Sequence, residues 1–156
     1  MEEITMFTDG SACIKPPKLG GCGVYIIHGE KEYFISKGYV NTKTGRMEIY
    51  ALLYALRSVN KDMEVKVTIY SDSQYVVNSL KKQWVLKWQR NNWEGAKNVD
   101  LWEQVLEEIR ERPKMKLRLR WIKGHQTNFE DELVVGNNIA DMLADYKNYD
   151  NYIKDL

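Results

Sequence analysis

Apolar and polar side chains alternate along this chain with two periods, and the switches between them mark its elements. ITMFTDGSA, residues 4–12, mixes apolar and β-favouring residues and breaks at Gly10, which predicts a strand with Asp9 at its end. After a loop holding Pro16, Pro17, Gly20 and Gly21, GVYIIHG predicts a second strand and KEYFISKGYV a third. The short break around His28, Gly29 and Glu30 makes these two an antiparallel hairpin, and the opening a three-stranded meander. Over 46–59 the period lengthens. Ile49, Leu52, Leu53, Leu56 and Val59 fall at helical spacing, with Thr44 as N-cap and Glu48 in the first turn. EVKVTIYSD then predicts a fourth strand ending at Asp72, and SQYVVNSLKKQ the helix after it.

Trp84 to Arg90 predicts a short basic helix, and Leu101, Trp102, Val105, Leu106 and Ile109 an amphipathic one over Val99 to Ile109, stopped before Pro113. KLRLRWI alternates basic with apolar residues, the pattern of a half-buried strand with Leu117, Leu119 and Trp121 on one face. A polar loop over 124–136 and a helix from about Asn137 close the chain. The order β-β-β-α-β-α-α-α-β-α predicts an α/β fold, one mixed sheet with helices on its faces. No repeat, linker or low-complexity tract divides it, so residues 1–156 are expected to form a single domain.

An apolar fraction of 44% over 156 residues is enough for a real core and excludes a disordered chain. No run approaches the roughly 18 apolar residues that span a bilayer, and MEEITMFTDGS lacks the pattern of a leader. A soluble cytoplasmic protein without a membrane partner is the expectation. Cys13 and Cys22 lack CxxC spacing and are expected as reduced thiols, although neighbouring strands could bring them close. A net charge of +1 provides no whole-molecule attraction to a polyanion. Locally, Lys81, Lys82, Lys87, Arg90 and Lys97 outweigh the single acid Glu94, and Lys114, Lys116, Arg118, Arg120 and Lys123 form a second basic group. Each group by itself reads as a solvated face of its element.

Asp9, Glu48 and Asp72 stand out because each lies near an end of a predicted element. Singly, an Asp at a strand end is an ordinary turn residue and a Glu in a first helical turn favours the helix dipole. Jointly they gather where central strands of an α/β sheet end and the chain parts to opposite faces, leaving a crevice. Carboxylates brought together there repel, and a hard divalent cation such as Mg²⁺ or Mn²⁺ relieves the cost.

Seven motifs then carry a resemblance that covers nearly the whole chain: FTDGS at 7–11, GGCG at 20–23, RMEIYALLYAL at 46–56, SDSQYV at 71–76, KNVDLW at 97–102, WIKGH at 121–125 and GNNIADMLA at 136–144. In this order they resemble ribonuclease H type 1. The resemblance implies a five-stranded mixed sheet and a metal-dependent endonuclease that hydrolyses the RNA strand of RNA/DNA hybrids to 5′-phosphate and 3′-hydroxyl ends. It implies two Mg²⁺ ions, with Mn²⁺ an alternative, held by Asp9, Glu48, Asp72 and Asp141. Asp9 would be shared between the ions, Glu48 and Asp72 would stand on one side and Asp141 on the other. His125 becomes an auxiliary histidine in proton transfer or product release, although a lone histidine after a strand is by itself an ordinary surface or packing residue.

The same resemblance puts recognition of the RNA 2′-hydroxyl on Gly10, Ser11, Ala12, Cys13 and Gln74, and makes 81–98 a basic handle gripping the DNA strand through Trp84, Lys87 and Arg90. Trp84 and Trp88, four apart, read equally well as a packed pair. Two departures stand out. Asn41 and Lys43 occupy the positions where the family uses an arginine and a threonine for a DNA phosphate, with Asn98 kept, so Lys43 is expected to supply that charge. Asn138 replaces a commonly acidic neighbour of the metal site.

Two rivals remain at this level. A same-fold nuclease or integrase acting on DNA would lack a use for the handle and the histidine loop. A hybrid-binding module with a dead site would lack a carboxylate, and none is missing. The chain is expected to act as a monomer. Within 121–145, the cluster Glu130, Asp131 and Glu132 is expected in a solvated loop around His125, and Asp145 is the nearest decoy for Asp141.

Overall fold

The structure, a computed structural model, describes residues 1–155. Three long strands open the chain, Glu2–Ala12 (β1), Gly20–His28 (β2) and Lys31–Val40 (β3), followed by the helix Thr44–Arg57 (α1) and the strand Val65–Ser71 (β4). Helices Gln74–Lys81 (α2), Trp84–Arg90 (α3) and Val99–Arg110 (α4) lead to the strand Met115–Trp121 (β5), the helix Glu132–Leu143 (α5) and the two-residue strand Ile153–Lys154 (β6). The sheet runs β5-β4-β1-β2-β3-β6, with the β1, β2 and β3 meander antiparallel and the β1–β4, β4–β5 and β3–β6 pairs parallel.

Helices cover both faces because strand alternation sends apolar side chains both ways. Ile4 and Met6 of β1 join Val24, Ile26, Val65, Val67 and Ile69 beneath Leu52, Leu53 and Leu56 of α1 and Trp102 of α4. Each such aliphatic side chain taken fully out of water contributes about 1.5–3 kcal/mol. On the other face Phe7 stacks between Tyr25 and Tyr70, with centroids 6.0 and 5.2 Å away, and Ala140 of α5 closes over Phe7 and Tyr25. No helix among the described residues is long and apolar enough to cross a membrane. Cys13 and Cys22 are both free thiols, and burial pushes that of Cys22 up to about 12.

The structure corrects several expectations. Among the described residues the sheet has six strands, because β6 pairs with the outer edge of β3; two residues carry no periodicity to betray a strand. Just beyond it, Asp155 is 1% exposed and accepts hydrogen bonds from Thr42 Oγ1 (2.7 Å), Arg46 Nε (2.7 Å) and Tyr50 Oη (3.1 Å). Arg46 also pairs with Asp100 at 2.8 Å, so one guanidinium ties the chain end and α4 to the start of α1. That helix begins at Thr44 with Lys43 before it and no side-chain cap, which moves Glu48 from the first turn to the second. Helix α5 begins five residues before Asn137: Asp131 caps it by accepting from Leu133 N at 2.9 Å, and Glu132 is its first residue. Half of the expected acidic loop is therefore a helix start, where negative charge is favoured. Trp121 shares a strand face with Leu117 and Leu119 yet is 48% exposed, because β5 ends there.

Candidate active site

The parallel ladder between β1 and β4 ends at the pair Thr8 and Ser71. The next residues are Asp9 and Asp72, so register alone sets two carboxylates side by side. Asp9 is not at the end of β1 as its sequence suggested; β1 runs on to Ala12 against β2, with Asp9 opposite Gly23. What ends is the pairing with β4, whose chain turns into α2 through Ser73, the N-cap that accepts from Val76 N. This parting of neighbouring strands opens the crevice.

Gly10 brings in the third acid. A Cβ there would stand 2.4 Å from the Glu48 nitrogen and from the Met47 carbonyl carbon, so α1 reaches β1 only because that residue is glycine. One ligand oxygen from each of Asp9, Glu48 and Asp72 lies within 4.8 Å of the others. Asp141 enters from α5 and hydrogen-bonds Asp9. Its place follows from Ala140, fully buried under the sheet, which leaves its neighbour half-exposed at the rim. Asp145 lies beyond the helix and is used in a turn, accepting from Lys147 N at 3.0 Å.

The electrostatics of the cluster are set by burial and by the mutual repulsion of its acids. Asp9 is 7% exposed; burial first, then Asp72 and Asp141, push its carboxyl up to about 9, against one hydrogen bond from Gly10 N. Burial pushes Glu48 up to about 7, a hydrogen bond with Ser73 opposes the rise and Asp72 adds to it. Asp72 is also raised, mainly by burial. Three acids that resist ionisation at this spacing, all offering oxygen, fit a hard divalent cation.

Helix α5 also supplies a residue that the motifs did not single out. Asn137 is 2% exposed and hydrogen-bonds Asp72, while its Oδ1 has no partner. The signal was available, since Asn137 precedes Asp141 by one helical turn and so shares its face. His125 is exposed, with φ of 55°, and its charge acts on Asp72. Gly124 keeps the loop against that acid: a Cβ there would lie 2.7 Å from Asp72 Oδ2. Asn138 donates to the Gln126 carbonyl at 3.2 Å, so the residue that departs from the family pattern anchors the histidine loop.

Of the other predicted contact residues, Ser11 donates its hydroxyl to the Ala144 carbonyl at 2.6 Å, tying β1 to the end of α5. Gln74 is exposed at the start of α2, and half-buried Cys13 lines a small cavity with Lys18 and Lys43. Lys43, Lys97 and Asn98 line a separate cavity of about 670 Å³ with Gly45, Arg46 and Tyr75. There Tyr75 Oη accepts from Asn98 Nδ2 (3.2 Å) and Trp102 Nε1 (2.9 Å), which fixes the Asn98 amide. Asn41 is not among the lining residues; its φ of 61° gives it a turn role that asparagine tolerates. The handle tryptophans divide. Trp88 packs on the core together with Trp93, whereas Trp84 stays half-buried with Lys82 Nζ 5.5 Å from its ring centroid. Lys87 and Arg90 are exposed.

The family model for RNase H matches residues 1–148. A ribonuclease H of Caldicellulosiruptor saccharolyticus is 38% identical over 151 residues, covering 92% of this chain and 94% of the relative. A ribonuclease HI of Haemophilus influenzae is 37% identical over 137 residues, covering 85% and 84%. Among solved structures, LC9-RNase H1, described as a type 1 RNase H with the type 2 active-site motif, superposes with a TM-score of 0.77 at 21% identity over 92% of this chain and 71% of that one, a likeness of fold. The prototype foamy virus protease-reverse transcriptase gives 0.78 at 25% identity over 92% of this chain and 20% of that chain.

Proposed function

The chain belongs to the RNase H family and is an endonuclease for the RNA strand of RNA/DNA hybrids, and from that premise we propose that Asp9, Glu48, Asp72 and Asp141 hold two Mg²⁺ ions for the hydrolysis. The observation that carries this reading is the convergence of Asp9, Glu48 and Asp72 within 4.8 Å, with Asp141 joined to Asp9. When bound, such ions supply Lewis acidity to the attacking water and to the departing 3′ oxygen. The rest is the work of side chains. Asp9, linked to both its strand neighbour Asp72 and the helix residue Asp141, is the natural shared ligand. Asn137 orients Asp72, and His125, on an exposed loop held close to that acid, exchanges a proton with solvent or product.

Substrate is held on two sides of this cluster. Cys13 and Gln74 offer short polar groups to the RNA 2′-hydroxyl, with Ser11 limited to what its bond to Ala144 leaves free, whereas Gly10 is buried against α1 with its N–H on Asp9 Oδ1 and serves the carboxylate cluster instead. The DNA strand meets Trp84, Lys87 and Arg90 at the handle, and a phosphate enters the cavity of Lys43 and Asn98, where Lys97 adds a second cation. We take the protein to act as a single domain and a monomer in the cytoplasm. The test is cleavage of an RNA/DNA hybrid, single-stranded RNA and both duplexes under Mg²⁺ titration, with Asp72→Asn alongside. Metal-dependent cutting of the hybrid alone, lost in the variant, is the expected result; unchanged cleavage by Asp72→Asn would sink the carboxylate assignment.

A further inference from the structure

Strand β5 bounds the sheet on one side, with β4 as its sole neighbour among the described residues, so one row of its backbone N–H and C=O groups has no strand partner among them. Its two faces differ in kind. Leu117 and Leu119 turn toward the helices and pack on the core, whereas Lys116, Arg118 and Arg120 are exposed on the opposite face. Helix α5, which covers that face, packs over β1, β2 and β3 and leaves β5 open. None of the three cations makes an ion pair among the described residues.

A cavity of about 520 Å³ lies along this edge on the helical side. Leu117 to Arg120, four consecutive residues, line it together with Leu86 of α3 and Leu106 and Ile109 of α4. Successive strand residues point to opposite faces, so a cavity that touches four in a row reaches the strand's outer edge. The lining is mostly apolar, contains Lys81 as well as the two arginines, and includes no acid and no member of the carboxylate cluster.

We propose that the outer edge of β5 is a docking site for an extended protein segment in which apolar and acidic residues alternate, added to the sheet as a further strand. The alternation follows from sheet geometry: every second side chain of the added strand enters the apolar cavity, and the others stand opposite Lys116, Arg118 and Arg120. A nucleic-acid strand would neutralise the cations but leave the cavity empty and the edge backbone unpaired, whereas a peptide strand satisfies all three. Docking there tethers the nuclease to another protein while its carboxylates stay open to substrate.

The test uses the whole chain and a fluorescein-labelled peptide of alternating Leu and Glu. A peptide of the same composition with Leu and Glu in separate blocks and a short single-stranded DNA serve as comparisons. Anisotropy reads binding, and amide hydrogen exchange reads pairing at β5. Saturable binding of the alternating peptide with slowed exchange at β5 is expected, weakened at least about 10-fold by Arg118→Glu with Arg120→Glu. Leu86→Glu provides a second arm: Leu86 is 41% exposed, so the change puts an acid at the cavity without emptying the core, and binding should fall while the melting temperature holds. Equal binding of the block peptide would reduce the site to general charge attraction. Tighter binding of the DNA with the same amides protected would make it a nucleic-acid surface, and no saturable binding would leave the cations as guards against edge pairing. Each of these outcomes overturns the proposal.

Discussion

Asp9 sits where a carboxylate is costly to ionise, and that cost can be measured. Its pKa is raised to about 9 and that of Glu48 to about 7, so the folded, metal-free protein holds these protons more tightly than the unfolded chain does. A raised folded pKa contributes stability that is fully present below the ordinary values of 3.8 and 4.5 and is lost as pH climbs through 7 and 9. Asp9→Asn removes the larger part of that loss. Without metal it should melt roughly 2–8 °C above the parent at about pH 8, with the gain gone near pH 4, and it should not cleave. A gain of equal size at both pH values would contradict the electrostatic origin. His125 has a different signature because it is exposed and outside the three-acid group. His125→Ala should lower kcat about 10²-fold while calorimetry shows metal affinity unchanged.

At the scale of elements, the least conspicuous piece of chain is among the most connected. Asp155 follows a two-residue strand, yet it is buried against Arg46 and holds Thr42 and Tyr50 at the start of α1, beside the cavity of Lys43 and Asn98. Asp155→Ala leaves a guanidinium 14% exposed with one of its two carboxylate partners, which should cost about 3–5 kcal/mol in urea unfolding. Asp155→Asn, which keeps an acceptor for Thr42, should recover part of it. Periodicity placed Trp84–Arg90 and the hairpin turn after His28 correctly, since both depend on neighbours in sequence. It set the start of α5 five residues late, because Asp131 and Glu132 read as loop acids until Asp131 is seen accepting from Leu133 N. Strand β6 exists only because the edge of β3 stands open beside it.

Over the whole molecule, the formal charge of +1 means that hybrid affinity must come from local clusters. Replacing Lys87 or Arg90 by Ala should reduce the slope of log affinity against log salt by about one each with kcat retained; an unchanged slope would remove the handle from the DNA interface. The sequence by itself determined the types of the longer elements and the alternation that buries both sheet faces, because these rest on side-chain chemistry and short-range spacing; it marked Asp9, Glu48 and Asp72 by their places near element ends, while Asp141 was marked only by its motif's resemblance to the family. Only the tertiary structure decided that Asp9 and Asp72 are neighbours, through a parallel register. It also decided that Gly10 lets α1 deliver Glu48, that Asn137 reaches Asp72, and that Asp155 ties the chain after β6 to Arg46. Those contacts join residues distant in the chain, and their free energy depends on packing and burial that no local window contains.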